Sequence, residues 1–309
     1  MRALACPASL KGVLRASAAA DALAEGFRRA GADARELPVA DGGDGTAEVL
    51  QLARGGAWHT AVVPDAFGRP RQARWLELPD GTAVVESAEA IPLDPSRLDP
   101  MQASSRGLGE LIAAVGRPPA LLVGLGGTAT VDGGAGMREA LSELPAPTRV
   151  ACDTLVPLVD AARLYARQKG AGPGQVEELE ARLRGTAELA PFAELPGAGA
   201  AGGLGAALAA LGAELVPGAE LVLDEIGLDP RGFDLVVTGE GQVDRTTATG
   251  KAPGEVARRC SRVGVRCVIF GGRIVEPLEG VENVALSGDP ARAEADLIEL
   301  GRGLALQPK

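Results

Sequence analysis

The distribution of apolar and polar positions predicts alternating strands and helices at both ends of the chain. Residues 2–6 are an apolar run typical of a buried strand, and residues 17–30 carry apolar side chains at helical spacing. Residues 34–39 form the next predicted strand, after which a loop rich in Asp and Gly leads into a helix near Thr46. The C-terminal part repeats this order, with predicted elements at 233–238, 254–262, 266–270, 284–286 and 291–304. This rhythm predicts an α/β fold with a doubly wound layer of parallel strands.

The middle of the chain follows a different pattern. Three short predicted strands, at 60–64, 71–78 and 82–87, are separated by turn signals and indicate an antiparallel meander. Beyond them the pattern predicts elements at 107–115, 121–124, 150–152, 177–189 and 203–211. We therefore predict a terminal α/β domain made of residues 1–46 and 250–309, with a second α/β domain, carrying a mixed sheet, inserted at 47–249.

Composition argues against several classes of protein. The 309-residue chain is 46% hydrophobic but only 3% aromatic, so Ala, Leu, Val and Gly must fill its core. The net charge of −10 argues against nucleic-acid binding, although a few placed Lys and Arg can still form a local anion site. No apolar run approaches the ~18 residues needed to cross a bilayer, so no membrane partner is expected.

The four cysteines and the single histidine argue against several further kinds of site. Cys6, Cys152, Cys260 and Cys267 lack the C-x-x-C spacing of a metal or redox site, which predicts reduced core residues in a cytoplasmic protein. His59 is the chain's only histidine and falls in a predicted surface strand. A Ser-His-Asp triad and a histidine-rich metal site are therefore not expected.

Two glycine-rich segments predict a phosphate site. Residues 124–137 directly follow the apolar run 120–123, so a buried strand leads into a loop rich in Gly, and residues 196–203 have the same character. Gly allows the backbone to approach a ligand closely and to point its N–H groups at an anion. The residues expected to bind phosphate or substrate here are Gly124, Gly126, Gly127, Thr128, Asp132, Gly133, Gly134, Gly199, Gly202 and Gly203.

Two N-terminal loops add charged and polar side chains. Ser9 and Lys11 follow the first strand, where α/β folds place ligands, and suit a phosphate or a carboxylate. Asp41 and Asp44 stand on a Gly-rich turn before a helix, where they could ligate Mg²⁺ or orient a hydroxyl group. For Asp44, simple capping of that helix is an equally good interpretation.

A third loop combines carboxylates with a lysine. Residues 238–244 carry Glu240 and Asp244, and Lys251 stands at the start of the helix that follows. This set suits phosphoryl transfer, because cations neutralise phosphate charge while a carboxylate orients or deprotonates an alcohol. An ordinary polar surface loop is the alternative. The spacing matches neither a Walker A motif nor a Rossmann fingerprint.

Together, these motifs resemble the bacterial glycerate kinase family, of the type unrelated to P-loop kinases. The matching segments follow one another over most of the chain, at 7–12 (P-A-S-L-K-G), 40–46 (A-D-G-G-D-G-T), 85–90 (V-E-S-A-E-A), 107–112 (G-L-G-E-L-I), 124–137 (G-L-G-G-T-A-T-V-D-G-G-A-G-M), 168–171 (Q-K-G-A), 195–205 (L-P-G-A-G-A-A-G-G-L-G) and 238–253 (T-G-E-G-Q-V-D, then G-K-A-P).

The resemblance implies ATP-dependent phosphorylation of D-glycerate with Mg²⁺, giving 2-phosphoglycerate more often than 3-phosphoglycerate. It also implies two α/β domains with the active site in the cleft between them, the inserted domain being flavodoxin-like or carrying a mixed sheet. On this basis we expect the loop 124–136 to bind nucleotide phosphates, and Lys11 and Lys251 to neutralise charge. Asp244 or Asp41 would act as base or hydroxyl orienter, and the candidate metal ligands are Glu240 and Asp153.

Several positions depart from the family pattern. Ala8, Val131 and Val156 stand where the family has polar residues, Leu108 and Arg106 replace Thr and Tyr, and the chain is shortened between residues 137 and 150. A kinase for another small hydroxy acid and a non-catalytic nucleotide- or glycerate-binding sensor or interaction protein are therefore alternatives. A nicotinamide- or flavin-binding redox protein is a weaker one. A homodimer is compatible with the sequence, which does not determine the oligomeric state.

Overall fold

The computed structural model describes residues 1–307 and consists of two α/β units. Its strands are β1 (Arg2–Ala5), β2 (Asp33–Glu36), β3 (Ala57–Pro64), β4 (Pro70–Glu77), β5 (Ala83–Glu86), β6 (Leu121–Leu125), β7 (Thr148–Cys152), β8 (Glu214–Pro217), β9 (Leu235–Val243), β10 (Arg266–Ile274) and β11 (Glu282–Ala285). Its helices are α1 (Ala16–Arg29), α2 (Thr46–Arg54), α3 (Ser87–Ala90), α4 (Arg106–Ala114), α5 (Ala135–Ala140), α6 (Ala161–Tyr165), α7 (Pro173–Gly185), α8 (Ala200–Ala210), α9 (Gly218–Glu225), α10 (Arg245–Ala248), α11 (Ala252–Val263) and α12 (Ala293–Leu306).

The terminal unit comprises Met1–Asp41 and the chain from Val222 onward. Within the described residues its sheet has five parallel strands in the order β11-β10-β9-β1-β2. Counted within the unit, this is the 2-1-3-4-5 order of flavodoxin-like sheets, with its switch point between β1 and β9. Ligands of such sheets bind beyond the carboxyl ends of the strands at the switch point.

Helices α1 and α12 pack closely because glycines remove side chains from their contact. A Cβ on Gly26 would lie 2.1 Å from the carbonyl oxygen of Ile298, and one on Gly301 would lie 2.3 Å from that of Leu23. The core beside them contains Phe27 and Phe270, both with no exposed surface. The terminal unit thus uses small residues at the helix contact and its few aromatics in the core.

The inserted unit comprises Gly42–Leu221 and contains a mixed sheet. In the described part of the chain this sheet has six strands in the order β3-β4-β5-β6-β7-β8. Strands β3, β4 and β5 pair antiparallel, whereas β5 to β8 are parallel to their neighbours. The loops after β5, β6 and β7 therefore collect at one edge of the sheet.

The α/β fold class predicted from the sequence is confirmed, and so is the antiparallel meander. The flavodoxin-like strand order, however, belongs to the terminal unit, and the inserted unit carries the mixed sheet. The unit boundaries lie after Asp41 and Leu221 rather than after 46 and 249, because β9 pairs with both β1 and β10 of the terminal sheet.

Some elements differ from the predicted ones in extent. The helix expected at 177–189 spans Pro173–Gly185, since Pro173 suits the first helical turn. Strand β9 continues through the glycines of the predicted 238–244 loop as far as Val243. The elements α3, α5, α6, β8, α9 and α10 were not predicted. Residues 308 and 309, at the end of the predicted terminal domain, lie outside the described residues.

The cysteines and the single histidine lie in the kinds of position that the sequence predicts. The four cysteines are free thiols, with Cys6, Cys152 and Cys260 buried. His59 lies in β3, where its ring stacks on Trp75 at a centroid distance of 4.3 Å. From residue 1 to residue 307, no helix is both long enough and apolar enough to cross a membrane.

Candidate active site

The switch point of the terminal sheet brings three predicted segments side by side. The backbone N–H of Ala8 donates to the Gly239 carbonyl at 2.9 Å, which joins the loop after β1 to β9. The N–H of Val39 donates to the Pro7 carbonyl at 2.9 Å, which brings the segment leading to Asp41 to the other side of that loop. Ser9 and Lys11, both exposed, therefore lie on a loop flanked by β9 and by the segment that leads to Asp41, in the unit's ligand-binding position.

Glu240 and Lys251 form an ion pair next to this loop. Lys251 Nζ lies 3.1 Å from Glu240 Oε2, and the Thr247 hydroxyl donates to Glu240 Oε1 at 2.7 Å. Burial raises the pKa of Glu240, against the lowering effect of Lys251 and Thr247, and Asp41 raises it further. Because both carboxylate oxygens already have donors, Glu240 is suited to hold Lys251 in place rather than to ligate a metal.

Asp244 caps the short helix α10. Its Oδ1 accepts the Thr246 N–H at 2.8 Å and the Thr246 hydroxyl at 2.5 Å, while its Oδ2 accepts the side-chain amide of Gln242 at 2.9 Å. These hydrogen bonds lower the pKa of Asp244 to about 2, and the bond from the Thr246 hydroxyl has the largest effect. A carboxylate this acidic is a weak proton acceptor at neutral pH, so Asp244 is better suited to capping α10 than to acting as a base.

In the inserted unit, the glycine-rich loop after β6 lies backbone to backbone against the turn that carries Asp44. A Cβ on Gly124 would lie 2.7 Å from the Gly42 carbonyl oxygen, and one on Gly126 would lie 2.8 Å from Gly43 Cα. Only glycine permits this approach. The exposed Asp44 therefore stands beside the start of the loop.

Glu86, at the end of β5, anchors the same turn and was given no role from the sequence. Its Oε1 accepts the N–H of Ala47 at 2.9 Å, and its carboxylate also accepts the N–H of Thr46, so it satisfies the first turn of α2. Burial raises the pKa of Glu86 to about 7, although the Ala47 N–H acts to lower it.

Asp132 shapes the glycine-rich loop from within. Its Oδ2 accepts the N–H and the hydroxyl of Ser105 at 2.8 and 2.7 Å and the N–H of Gly136 at 3.2 Å. Its Oδ1 accepts the N–H of Gly134 at 3.0 Å. With these donors the carboxylate fixes the turn, which suits a supporting role better than direct contact with a phosphate.

The second glycine-rich segment packs on the first. Ala201, Gly202 and Gly203 all have positive φ, and a Cβ on Gly202 would lie 2.1 Å from the Thr130 carbonyl oxygen. The Gly133 N–H donates to the Gly202 carbonyl at 3.1 Å. The two predicted phosphate loops are thus brought together, with Gly199 bonded to the Val156 carbonyl at 3.0 Å.

Lys169 contacts the glycine-rich loop and was given no role from the sequence, although its motif was noted. The side chain is 4% exposed, and its Nζ donates to the Thr130 carbonyl at 2.7 Å and to the Thr128 hydroxyl at 3.3 Å. Burial lowers the pKa of Lys169 to about 8, while Asp153 and Asp132 act to raise it. Its partners lie about 40 residues away in the chain, so no local pattern reveals the contact.

Carboxylates are the side chains of this site that could hold a divalent metal ion. Among residues 1–307 no group of three or more His, Cys, Asp or Glu side chains could hold a metal ion. Mg²⁺ commonly uses one or two carboxylates together with substrate phosphates, so a single protein carboxylate fits it. Asp153 follows β7 and reaches the glycine-rich loop, since a Cβ on Gly126 would lie 2.7 Å from its Oδ2.

The fold and these loops define an α/β protein that presents backbone N–H groups and lysines at the carboxyl ends of its strands. The model of the glycerate kinase family matches residues 3–144 and 145–288. The chain therefore belongs to the glycerate kinase family, as its motifs predict, and it is an enzyme, a kinase. Membership in such a family implies ATP as the phosphate donor.

Two relatives and one solved structure are similar to this chain over most of their length. The chain is 38% identical to the glycerate 2-kinase of Escherichia coli K12, over 83% of this chain and 81% of that protein. It is 35% identical to the glycerate kinase of Bacillus subtilis 168, over 89% of this chain and 85% of that protein. A crystal structure assigned as a glycerate kinase 2 of Salmonella typhimurium LT2 superposes with a TM-score of 0.81 at 31% identity, covering 99% of this chain and 97% of that chain.

Proposed function

We propose that this kinase transfers the γ-phosphoryl group of ATP to the 2-hydroxyl of D-glycerate, giving 2-phosphoglycerate rather than 3-phosphoglycerate. Family membership and the name of the E. coli relative support the substrate and the position. The observation that carries the proposal is the glycine-rich loop of the inserted unit. Within residues 1–307, the backbone N–H groups of Gly127 and Thr128 have no acceptor, although the loop is otherwise extensively hydrogen-bonded.

These N–H groups are the proposed phosphate contacts. The loop is held by Ser87, whose hydroxyl pairs with Gly126, and by the Ile91 carbonyl, which accepts the Ala129 N–H at 3.1 Å. N–H donors that are fixed in place and lack an acceptor can bind an anion without rearranging. Preorganised sites favour phosphoryl transfer in this way. The packing of the two glycine-rich segments would support this shape of the loop, through Gly133, Gly134, Gly199, Gly202 and Gly203.

The terminal unit supplies the proposed acceptor side. Lys11 and Lys251 neutralise the glycerate carboxylate or the transferred phosphoryl group, and Ser9 adds a hydroxyl donor. Asp41 orients the attacking hydroxyl and accepts its proton. Asp244 keeps the chain before α11 in position through its bonds to Thr246 and Gln242.

Mg²⁺ is proposed as the accompanying ion, with Asp153 as its protein ligand in the inserted unit. When bound, the ion offsets the negative charge of the triphosphate and orients it. Asp44 stands beside the same loop and is a second carboxylate for this role. We place the enzyme in the cytoplasm, where its four free thiols remain reduced.

A different small hydroxy acid is the second candidate substrate. Val131, only 1% exposed within the loop, and Val156, half-buried beside Gly199, stand where the family has polar residues. A pocket with fewer hydrogen-bonding groups discriminates less against an acid that lacks one hydroxyl.

A panel of hydroxy acids separates the two candidates. Purified protein with ATP and Mg²⁺ is given D-glycerate, L-glycerate, glycolate or D-lactate, and the release of ADP is followed. The proposal predicts the highest kcat/KM with D-glycerate. A higher value with another acid would move the assignment to that substrate. If none of the four acids led to release of ADP, the proposed activity would be wrong.

A further inference from the structure

Lysine is scarce in this chain, and its positions are informative. Of the 31 Lys and Arg residues, 27 are arginine and four are lysine, at positions 11, 169, 251 and 309. Lys11 and Lys251 belong to the proposed acceptor side, and Lys309 is outside the described residues. A lysine carries a compact point charge and an arginine a wide planar group, so the two are not interchangeable at a buried position. Lys169 is buried and has no role so far.

The side chain of Lys169 is built into the glycine-rich loop. It is the last residue of the short turn Arg167–Lys169, whose other two side chains are exposed. The turn is fixed by Gly170, which has φ +101° and where a Cβ would lie 2.6 Å from Leu98 Cβ. The Nζ donates to Thr130 and Thr128, two residues of the loop itself.

These hydrogen bonds orient the loop's peptide groups. In a trans peptide the C=O and the following N–H point in opposite directions. Because the Thr130 carbonyl points at Lys169, the N–H of Val131 must point away from it, toward the opposite side of the loop. Lys169 thus holds one peptide in the orientation that leaves its donor for a ligand.

The ammonium also changes the charge beneath the loop. Asp132 and Asp153 are the carboxylates that interact with Lys169, and both would repel an approaching phosphate. Because the side chain is only 4% exposed, this charge is little screened by solvent.

We propose that Lys169 is a positioning residue for the phosphoryl donor: it orients the 128–131 turn and offsets the charge of Asp132 and Asp153, so that the loop binds the phosphates of a nucleoside triphosphate. This inference rests on the proposed function of the loop. It assigns the Gln168-Lys169-Gly170-Ala171 motif to nucleotide binding without direct contact with the transferred group.

The test replaces Lys169 by methionine, which keeps the length of the side chain but removes the charge and the donors. K169M should raise the KM for ATP by about 10- to 100-fold, the range of lost hydrogen bonds from a charged donor. The KM for D-glycerate should change by no more than about twofold, because the acceptor side is untouched. Arg167→Met, an exposed cation on the same turn, should leave both values unchanged.

A general structural role would give a different result. An unchanged KM for ATP in folded K169M, or equal rises in both KM values, would overturn the inference. Folding is checked by circular dichroism and urea unfolding. If K169M does not fold, Thr128→Val carries the test: it removes one acceptor of Lys169, and an unchanged affinity for ATP in that variant would equally overturn the inference.

The proposed function and this inference can fail separately. If the wild-type protein turns over no hydroxy acid, the proposed function fails, and calorimetric titration with Mg-ATP replaces the KM for ATP. Weaker binding of ATP by K169M than by R167M would then still support the positioning role, and equal binding would overturn it.

Discussion

Glu86 should make the stability of the inserted unit depend on pH. In the unfolded chain its carboxyl has the ordinary pKa of about 4.5, whereas burial raises the value to about 7 in the folded protein. Between these two values folding takes up a proton, so the free energy of unfolding contributed by this group falls as pH rises, by roughly 3 kcal/mol across the window.

Glu86→Gln should remove this contribution, because its amide oxygen can still accept the Ala47 N–H but does not ionise. Urea unfolding of both proteins at pH 4.5 and 7.5 measures it. We expect wild type to lose stability relative to E86Q as pH rises. Parallel behaviour of the two proteins would show that the Glu86 carboxyl is not buried as described.

Asp41 and Asp244 can be separated by the pH dependence of turnover. The pKa of Asp244 is lowered to about 2, so this carboxylate stays ionised across the assay range and contributes no limb to the profile. Asp41→Asn should lower kcat by roughly 10²- to 10⁴-fold, the usual range for losing a proton acceptor. Asp244→Asn should lower kcat far less and should leave the shape of the pH profile unchanged, and loss of an acidic limb in D244N would reverse the assignment.

At the scale of elements, two glycines in α12 provide a matched pair. A Cβ on Gly301 would lie 2.3 Å from the Leu23 carbonyl oxygen, whereas one on Gly303 meets nothing within 4 Å. Gly301→Ala should force α1 and α12 apart and cost about 1–3 kcal/mol of stability. Gly303→Ala should add ~0.5–1 kcal/mol, because alanine is the better helix former. Thermal unfolding measures both, and equal effects would contradict the close packing of the two helices.

Strand β9 shows which part of an element could be predicted from the sequence. Its apolar start was predicted, but the glycines after Thr238 were interpreted as a loop. Pairing with β10 at Glu240, Gln242 and Val243 overrides that local signal. Local patterns predict where elements occur, whereas their extent depends on partners distant in the chain.

At the scale of the whole molecule, the same long-range pairing decides which segment belongs to which unit. Because β9 joins the terminal sheet, Glu240 and Lys251 belong with Lys11 and Asp41 rather than with the glycine-rich loop. The motifs identified the family and most candidate residues. The roles of Glu86, Ser105 and Lys169 could not be predicted, since each depends on a hydrogen bond between residues 27 or more positions apart.

The position of phosphorylation tests the central claim most directly. Protein, ATP, Mg²⁺ and D-glycerate are incubated, and a proton-coupled phosphorus NMR spectrum of the products is recorded. A phosphate on C2 couples to one proton and gives a doublet, whereas a phosphate on C3 couples to two protons and gives a triplet. We expect a new doublet that grows with the ADP signals. A triplet would contradict the proposed position, and ATP left unchanged by folded protein would contradict the account as a whole.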